Sequence, residues 1–335
     1  MKPKSPQTLE DIARLAGVSR STVSRALNDS PLLSQQTKER IQALAREHNF
    51  RINIAARNLR LRTSKTIGFV APAPQRFLAE DLFGLEMLGS IGNALHARGY
   101  DCLIIQSDPH TASWDEQYID SGRVDGFILI ASDLKPPHIR TLLERQAPFI
   151  VWGLPLPDAS YCTVIGDNVA GGRLATEHLI RGGRQRIAFL GGHEETSTVQ
   201  NRFRGYEQAL GAAGRAVDPA LVVYGDYSYA SGGAAMELLL ERAPEPDAVF
   251  VNSDLMAIAA ITAIQARGKR VPEDIAVIGY DDVAIASYTP LPLTTIRQNI
   301  PLAGTLLAQN LIQFLETGLV SNLTVPVELI VRQSA

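Results

Sequence analysis

Thr8-Leu9-Glu10-Asp11-Ile12-Ala13-Arg14-Leu15-Ala16-Gly17-Val18-Ser19-Arg20-Ser21-Thr22-Val23-Ser24-Arg25-Ala26-Leu27-Asn28 is the stretch on which the reading of this chain turns. Thr8 is an N-cap with Asp11 three residues on, an acidic variant of the capping box. Leu9, Ile12, Ala13 and Ala16 then form one apolar stripe. Gly17 turns the chain, Val18 supplies an apolar plug, and Ser19 caps a second short helix whose buried face is Val23, Ala26 and Leu27. Ser34 opens a third helix running to about His48, with Ile41, Leu44 and Ala45 turned inward. Two short helices joined by a glycine turn make a helix-turn-helix, whose second helix meets base edges in the major groove.

Charge supports that reading once it is divided along the chain. The net charge of −3 argues against nucleic-acid binding. Yet residues 1–65 hold 13 Lys and Arg against 5 Asp and Glu, a net of +8, and residues 66–335 hold 19 against 30, a net of −11. A basic arm on an acidic body points to a DNA-binding head. At 335 residues, 45% hydrophobic and 20% charged, the chain expects more than one folded domain and excludes wholesale disorder. Met1 to Pro6 is short and polar, unlike a signal peptide, and no apolar run approaches the roughly 18 residues of a membrane span. Cys102 and Cys162 lie at apolar strand-like runs and read as buried thiols, which fits a cytoplasmic location.

On the second helix, Arg20, Ser21 and Arg25 occupy the exposed face, where Arg25 can pair bidentately with a guanine. Thr22, Ser24 and Asn28 read as phosphate contacts or caps. The bland alternative is an ordinary solvated helix face, which the charge asymmetry disfavours. Further on, Asn53 caps Ile54-Ala55-Ala56-Arg57-Asn58-Leu59-Arg60, a helix too short to be stable alone. Its folding is expected to be coupled to pairing and DNA binding.

From residue 66 onward, apolar runs alternate with helical ones. Strands are expected at Ile67–Val70, Cys102–Ile105, Gly126–Ile130 and Phe149–Trp152, then at Arg186–Leu190, Leu221–Tyr224, Ala248–Val251 and Ile275–Ile278. Helices such as Gly84–Arg98 and Gly171–Gly182 lie between them, and a last strand is expected at Val325–Val331. This is βαβ alternation twice over, hence two doubly wound parallel sheets with a cleft between similar lobes. Ligands of such sheets bind beyond the carboxyl ends of the strands. There the sequence offers Asp81, Phe83, Trp152, Asp167, Tyr227, Asp254 and Asp281. Acids that accept hydroxyl protons and aromatic faces that stack suit a neutral polyol. A purine could use the same groups. Asp167 and Asp254 could instead cap helices, and Phe83 and Trp152 could be plain core.

The segment Thr8–Asn28, followed by TKERIQALA, NIAARNLR and TSKTIGFV, closely resembles the LacI/GalR family of repressors, and the likeness runs over essentially the whole chain. It implies an all-α helix-turn-helix head (1–52), a hinge helix and linker (53–65), and a two-lobed body of the type I periplasmic-binding-protein fold that senses an effector and dimerises (66–335). The resemblance places base-reading side chains at Arg20, Ser21 and Arg25. It assigns Ala56, Arg57, Leu59 and Arg60 to a minor-groove hinge in which Leu59 wedges a central base step. Arg202-Phe203-Arg204-Gly205-Tyr206 is similar to the family segment whose first arginine grips the effector, and Gln298 closes Leu293-Thr294-Thr295-Ile296-Arg297-Gln298, another family-like stretch. Ser253 stands where asparagine is common in the family, and Trp152 where some relatives carry an acid.

The implied partners are a palindromic DNA operator, a carbohydrate effector and a second copy of the chain, with no cofactor, metal or membrane. The absence of a heptad tail after Ser334-Ala335 favours a dimer over a tetramer. An enzyme would call for an elbow, phosphate-loop or zinc motif, and G-x-S-x-G, G-x-x-x-x-G-K-[ST] and H-E-x-x-H are all missing. A transport binding protein would need an export signal and no basic head.

Overall fold

The structure is a computed structural model that describes residues 8–50, 63–71, 81–106, 117–118, 120–130, 136–156, 158–242 and 245–335. The chain divides into two compact units, Met1–Ser64 and Lys65–Ala335.

In the first unit, α1 (Leu9–Ala16), α2 (Arg20–Leu27) and α3 (Gln35–Glu47) follow the expected boundaries. Thr8 and Asp11 form a reciprocal capping box, with Asp11 N donating to Thr8 Oγ1 (3.2 Å) and Thr8 N to Asp11 Oδ2 (3.1 Å). Gly17 ends α1 at a φ of 63°, a left-handed conformation that costs a glycine little. Ser19 and Ser34 cap α2 and α3 through Thr22 N (3.1 Å) and Thr37 N (3.3 Å). Ile12, Ala13, Ala16, Val23, Ala26 and Ile41 make the core, with Val18 and Leu44 packed on its flank. Such a small core gives only marginal stability, so each cap matters, at about 1 kcal/mol apiece.

The second unit is two open sheets. One contains β1 (Thr66–Ala71), β2 (Asp101–Gln106), β3 (Gly126–Ile130), β4 (Phe149–Trp152), β5 (Cys162–Gly166) and β11 (Asn322–Val325), in the order β11-β5-β4-β3-β1-β2. The other contains β6 (Ile187–Gly191), β7 (Val222–Tyr224), β8 (Ala248–Val251), β9 (Ala276–Asp281), β10 (Thr294–Arg297) and β12 (Glu328–Ile330), in the order β12-β10-β9-β8-β6-β7. Pairing is parallel except at β10–β12. Both faces of each sheet are covered by helices, which explains the unbroken apolar runs. Along β8, Ala248 and Phe250 enter one core while Val249 and Val251 enter the other.

Helices α4 (Leu82–Ala97), α5 (Pro136–Glu144), α6 (Asn168–Arg181), α7 (Ser197–Ala212), α8 (Tyr229–Glu241), α9 (Asp254–Ala266) and α10 (Ile300–Thr317) wrap the sheets. The lobes are not consecutive halves of the chain. After β5 the chain crosses to α6, whose Ala175 and Leu179 pack in the second lobe. After β10 it returns to α10, whose Ala303, Leu307 and Leu311 fill the first lobe's core.

The strand expected at Val325–Val331 is in fact two strands in different sheets. β11 pairs with β5 and β12 with β10, because Pro326 cannot donate to a ladder and the chain crosses lobes there. β5 and β10 escaped the strand expectation, since threonine, glycine and arginine interrupt their apolar runs.

Candidate DNA-binding face and effector cleft

On α2, Arg20, Ser21, Arg25 and Asn28 are exposed, and Thr22 and Ser24 are half-buried. Arg20 and Arg25 make no ion pair among the described residues, so both guanidinium forks are open to a ligand. Thr22 is engaged in the cap, with its Oγ1 2.8 Å from Ser19 Oγ, and Ser21 Oγ lies 2.7 Å from the same atom. Asn28 closes the helix by donating from Nδ2 to Ser24 O (2.7 Å). Ala56, Arg57, Leu59 and Arg60, the expected hinge contacts, lie outside the described residues.

At the carboxyl ends of the second lobe's strands, Arg202 of α7 is the centre of a buried polar cluster. Its Nε donates to Asn168 Oδ1 (2.8 Å), one Nη donates to Asn252 O (2.6 Å), and the guanidinium lies 3.6 Å from the centre of the Tyr280 ring. These bonds commit two of the five N–H donors an arginine carries. Asn168 is fixed in turn by donating from Nδ2 to Gly166 O (3.0 Å). Two glycines permit this approach of α6 and α7. A Cβ on Gly172 would collide with the Arg202 carbonyl, and one on Gly205 with the Val169 carbonyl.

Asp281 ends β9 at a φ of 117°, followed by Asp282 at 59°, two left-handed non-glycine residues in a row. Gln298 Nε2 donates to Asp281 Oδ1 (2.7 Å). Burial pushes the Asp281 carboxyl up to about 7, against the opposing pull of Arg202 and the Gln298 bond, with the charges of Asp81 and Glu86 adding to the rise. Asp81 and Glu86 belong to the first lobe, so the two lobes face each other at this point. The segment also bridges them. Val283 N donates to Asp254 Oδ2 (2.9 Å), Val283 buries its side chain in the first lobe's core, and Ala284 N donates to Glu86 Oε1 (2.8 Å).

The other expected residues are distributed around this cluster. Asp81 and Asp167 are N-caps, accepting from Gly84 N (2.8 Å) and Ala170 N (3.0 Å). Phe83 and Trp152 stand together with ring centres 6.0 Å apart. Tyr227, at a φ of 67°, covers Gly192 and meets the His193 ring at 5.9 Å. Asp254 is wholly buried beneath the cluster, with Oδ1 accepting from Thr295 Oγ1 (2.5 Å) and Oδ2 from Val283 N. Burial, then the neighbouring Asp281, raises its carboxyl well above the ordinary range. The geometry therefore makes Asp254 a clamp on the interlobe segment, with both oxygens already used.

Sequence reasoning passed over Asn252, Tyr280 and Thr295, which together with Asn168, a strand-end polar residue beside Asp167, position Arg202 and Asp254. The available signal was a polar residue closing each apolar run, as Asn252 does after Ala248–Val251. Among the described residues no group of three or more His, Cys, Asp or Glu is placed to hold a metal, and no helix is long and apolar enough to cross a membrane.

A three-helix unit with an exposed arginine-bearing helix face, joined in one chain to a two-lobed body with polar strand ends, defines a DNA-binding regulator that responds to a small molecule. Comparison with known proteins places it more narrowly. Residues 8–53 match the model of bacterial regulatory proteins of the lacI family, and residues 176–335 that of a periplasmic binding protein-like domain. The chain is 38% identical over 342 residues to the HTH-type transcriptional regulator CelR of Thermobifida fusca, covering 100% of both. It is 36% identical over 301 residues to the HTH-type transcriptional repressor PurR of Aliivibrio fischeri, covering 87% of this chain and 86% of that one.

Among solved structures it is similar to a transcriptional regulator CelR–cellobiose complex (36% identity, TM-score 0.76, 98% of this chain and 100% of that one). It is also similar to the lac repressor dimer bound to operator and the anti-inducer ONPF (28% identity, TM-score 0.84, 98% and 99%). The chain belongs to the LacI family of bacterial regulatory proteins. It is an effector-controlled, DNA-binding transcription repressor and not an enzyme.

Proposed function

We propose that this repressor senses a carbohydrate in the interlobe cleft and works as a homodimer on a palindromic operator in the cytoplasm. Residues 1–52 read the half-site, 53–65 form the hinge and link, and 66–335 bind effector and dimerise. The observation that carries the carbohydrate reading is the buried Arg202–Asp281–Gln298 cluster. It offers hydrogen-bond donors and acceptors at the strand ends where this fold takes its ligands. Phe83, only partly buried where it packs on Trp152 at the first lobe's core, supplies an apolar face of the kind that stacks on a sugar ring. The relative solved with cellobiose makes that disaccharide the first probe.

The mechanism follows from the interlobe segment. A ligand hydroxyl donating to Asp281 acts on a residue two positions from Val283, which Asp254 clamps to one lobe and whose side chain is buried in the other. Ligand thus biases the lobe angle, provided it binds the two body states unequally. In the dimer that angle sets how tightly the two heads hold the operator.

The test is a thermal-shift and calorimetric screen of the purified chain against cellobiose, monosaccharides and purines. Saturable carbohydrate binding that Arg202→Ala abolishes, with operator binding spared, is the expected result. A purine as the sole ligand would replace the carbohydrate reading.

A further inference from the structure

The Asn252 carboxamide is wholly buried, and among the described residues neither its Nδ2 nor its Oδ1 has a hydrogen-bond partner. A buried amide left unpaired costs free energy, and native proteins rarely keep one without a use. The backbone around it is fully engaged. Asn252 N donates to Leu190 O (2.9 Å) and its carbonyl accepts from Arg202. That bond to Leu190 continues the β6–β8 ladder one residue beyond β8, which keeps the side chain on the same face as Ala248 and Phe250. Tyr280 and the α7 helix that carries Arg202 cover this face. Asn252 therefore sits at the strand end, on the side of the sheet against which Arg202 and Tyr280 pack.

A second unpaired atom belongs to the same cluster: Gln298 gives its Nε2 to Asp281, and its buried Oε1 has no partner among the described residues. We infer that Asn252 is a specificity-determining residue of the cleft, its carboxamide reading adjacent hydroxyl groups of a neutral ligand. This inference rests on the cleft being the effector site. The inventory of partners shows why Asn252 is needed. Asp281, when ionised, and Gln298 Oε1 can only accept, and Arg202 can only donate. Asn252 alone among these atoms presents an unused donor beside an unused acceptor. Neighbouring hydroxyls satisfy both at once, because each can donate and accept. A carboxylate or phosphate would satisfy Nδ2 and leave Oδ1 unpaired in a site already holding Asp281.

The experiment uses the full-length chain and two variants, Asn252→Leu, which keeps the shape and removes the amide, and Asn252→Ala. Melting temperature is measured without ligand, and affinity by calorimetry for whichever carbohydrate gives the largest thermal shift, starting with cellobiose. Removing an unpaired buried amide should raise the ligand-free melting temperature of Asn252→Leu by about 2–4 °C. Both variants should bind the sugar about 10- to 100-fold more weakly. An amide with a purely structural role would behave oppositely, its loss lowering the melting temperature and sparing affinity, and that result overturns the inference. Wild-type affinity in both variants overturns it while leaving the carbohydrate reading intact. A wild-type chain that binds no carbohydrate overturns both.

Discussion

Asp281→Asn isolates the charge at the centre of the proposed effector site. The substitution keeps the shape and still offers Gln298 Nε2 an acceptor in place of the 2.7 Å bond to Oδ1. What it removes is a buried ionisation. The folded carboxyl titrates at about 7, against an ordinary value of 3.8. A group raised in this way holds its proton more tightly when folded, so its stabilising effect is complete at low pH. That effect is lost as pH climbs from about 4 to 7 and is gone above it.

Each pH unit within that window corresponds to about 1.4 kcal/mol for a fully coupled proton, so wild type should lose about 2 kcal/mol from this group between pH 5.5 and 8. Asp281→Asn loses none of it. In melting temperature the gap between variant and wild type should widen by about 4 °C across that range. The assay is dye-monitored or calorimetric melting of both proteins, without ligand, at half-unit pH steps. Parallel curves would show that Asp281 is already ionised in the folded protein at pH 5.5, and would refute the burial argument. Because a sugar hydroxyl donates more strongly to an ionised carboxylate than to a protonated carboxyl, wild-type affinity should move the other way, strengthening as pH rises toward 7.

Three further outcomes follow from the same geometry. Arg25→Ala, on an exposed face with no competing ion pair among the described residues, should cost about 1–3 kcal/mol at one base position of each half-site, read by binding to a set of singly substituted operators. Gly205→Ala drives a Cβ into the Val169 carbonyl, so it should separate α6 from α7, destabilise the body by about 3 kcal/mol and weaken effector binding through Arg202, read by urea denaturation and calorimetry. Leu59→Ala should reduce operator affinity about 10-fold or more while leaving effector affinity unchanged, in a paired gel-shift and calorimetric measurement.

The local rules read well from the sequence where one residue type has one physical use. Thr8 with Asp11, Ser19 and Ser34 marked the helix starts because a hydroxyl before an apolar stripe has a backbone N–H to satisfy. Runs such as Gly126–Ile130 and Ala248–Val251 marked buried strands because covered parallel sheets tolerate no polar face. What periodicity cannot carry is which sheet a strand joins. Val325 and Leu329 look alike in sequence and enter different lobes.

The site shows the same limit. Arg202, Asp281 and Gln298 were legible, two of them through resemblance, and the structure brings them together. Asp254 reads identically as a ligand acid or a helix cap, whereas the structure gives the cap to Ser253 and places Val283 and Thr295 on the two Asp254 oxygens. Asn252 escaped notice because its significance lies in bonds it does not make, which only a three-dimensional arrangement reveals.

The central claim is that occupancy of the body's cleft controls the head's hold on DNA, and one titration addresses it. The full-length chain is used to select duplexes from a random pool, and the enriched sequence is labelled and followed by fluorescence anisotropy while the cleft ligand is added. The account predicts a two-fold symmetric sequence whose affinity changes at least about 5-fold as the ligand saturates, with Arg202→Ala binding the duplex normally and ignoring the ligand. An enriched duplex whose affinity is indifferent to a ligand that demonstrably fills the cleft would contradict it.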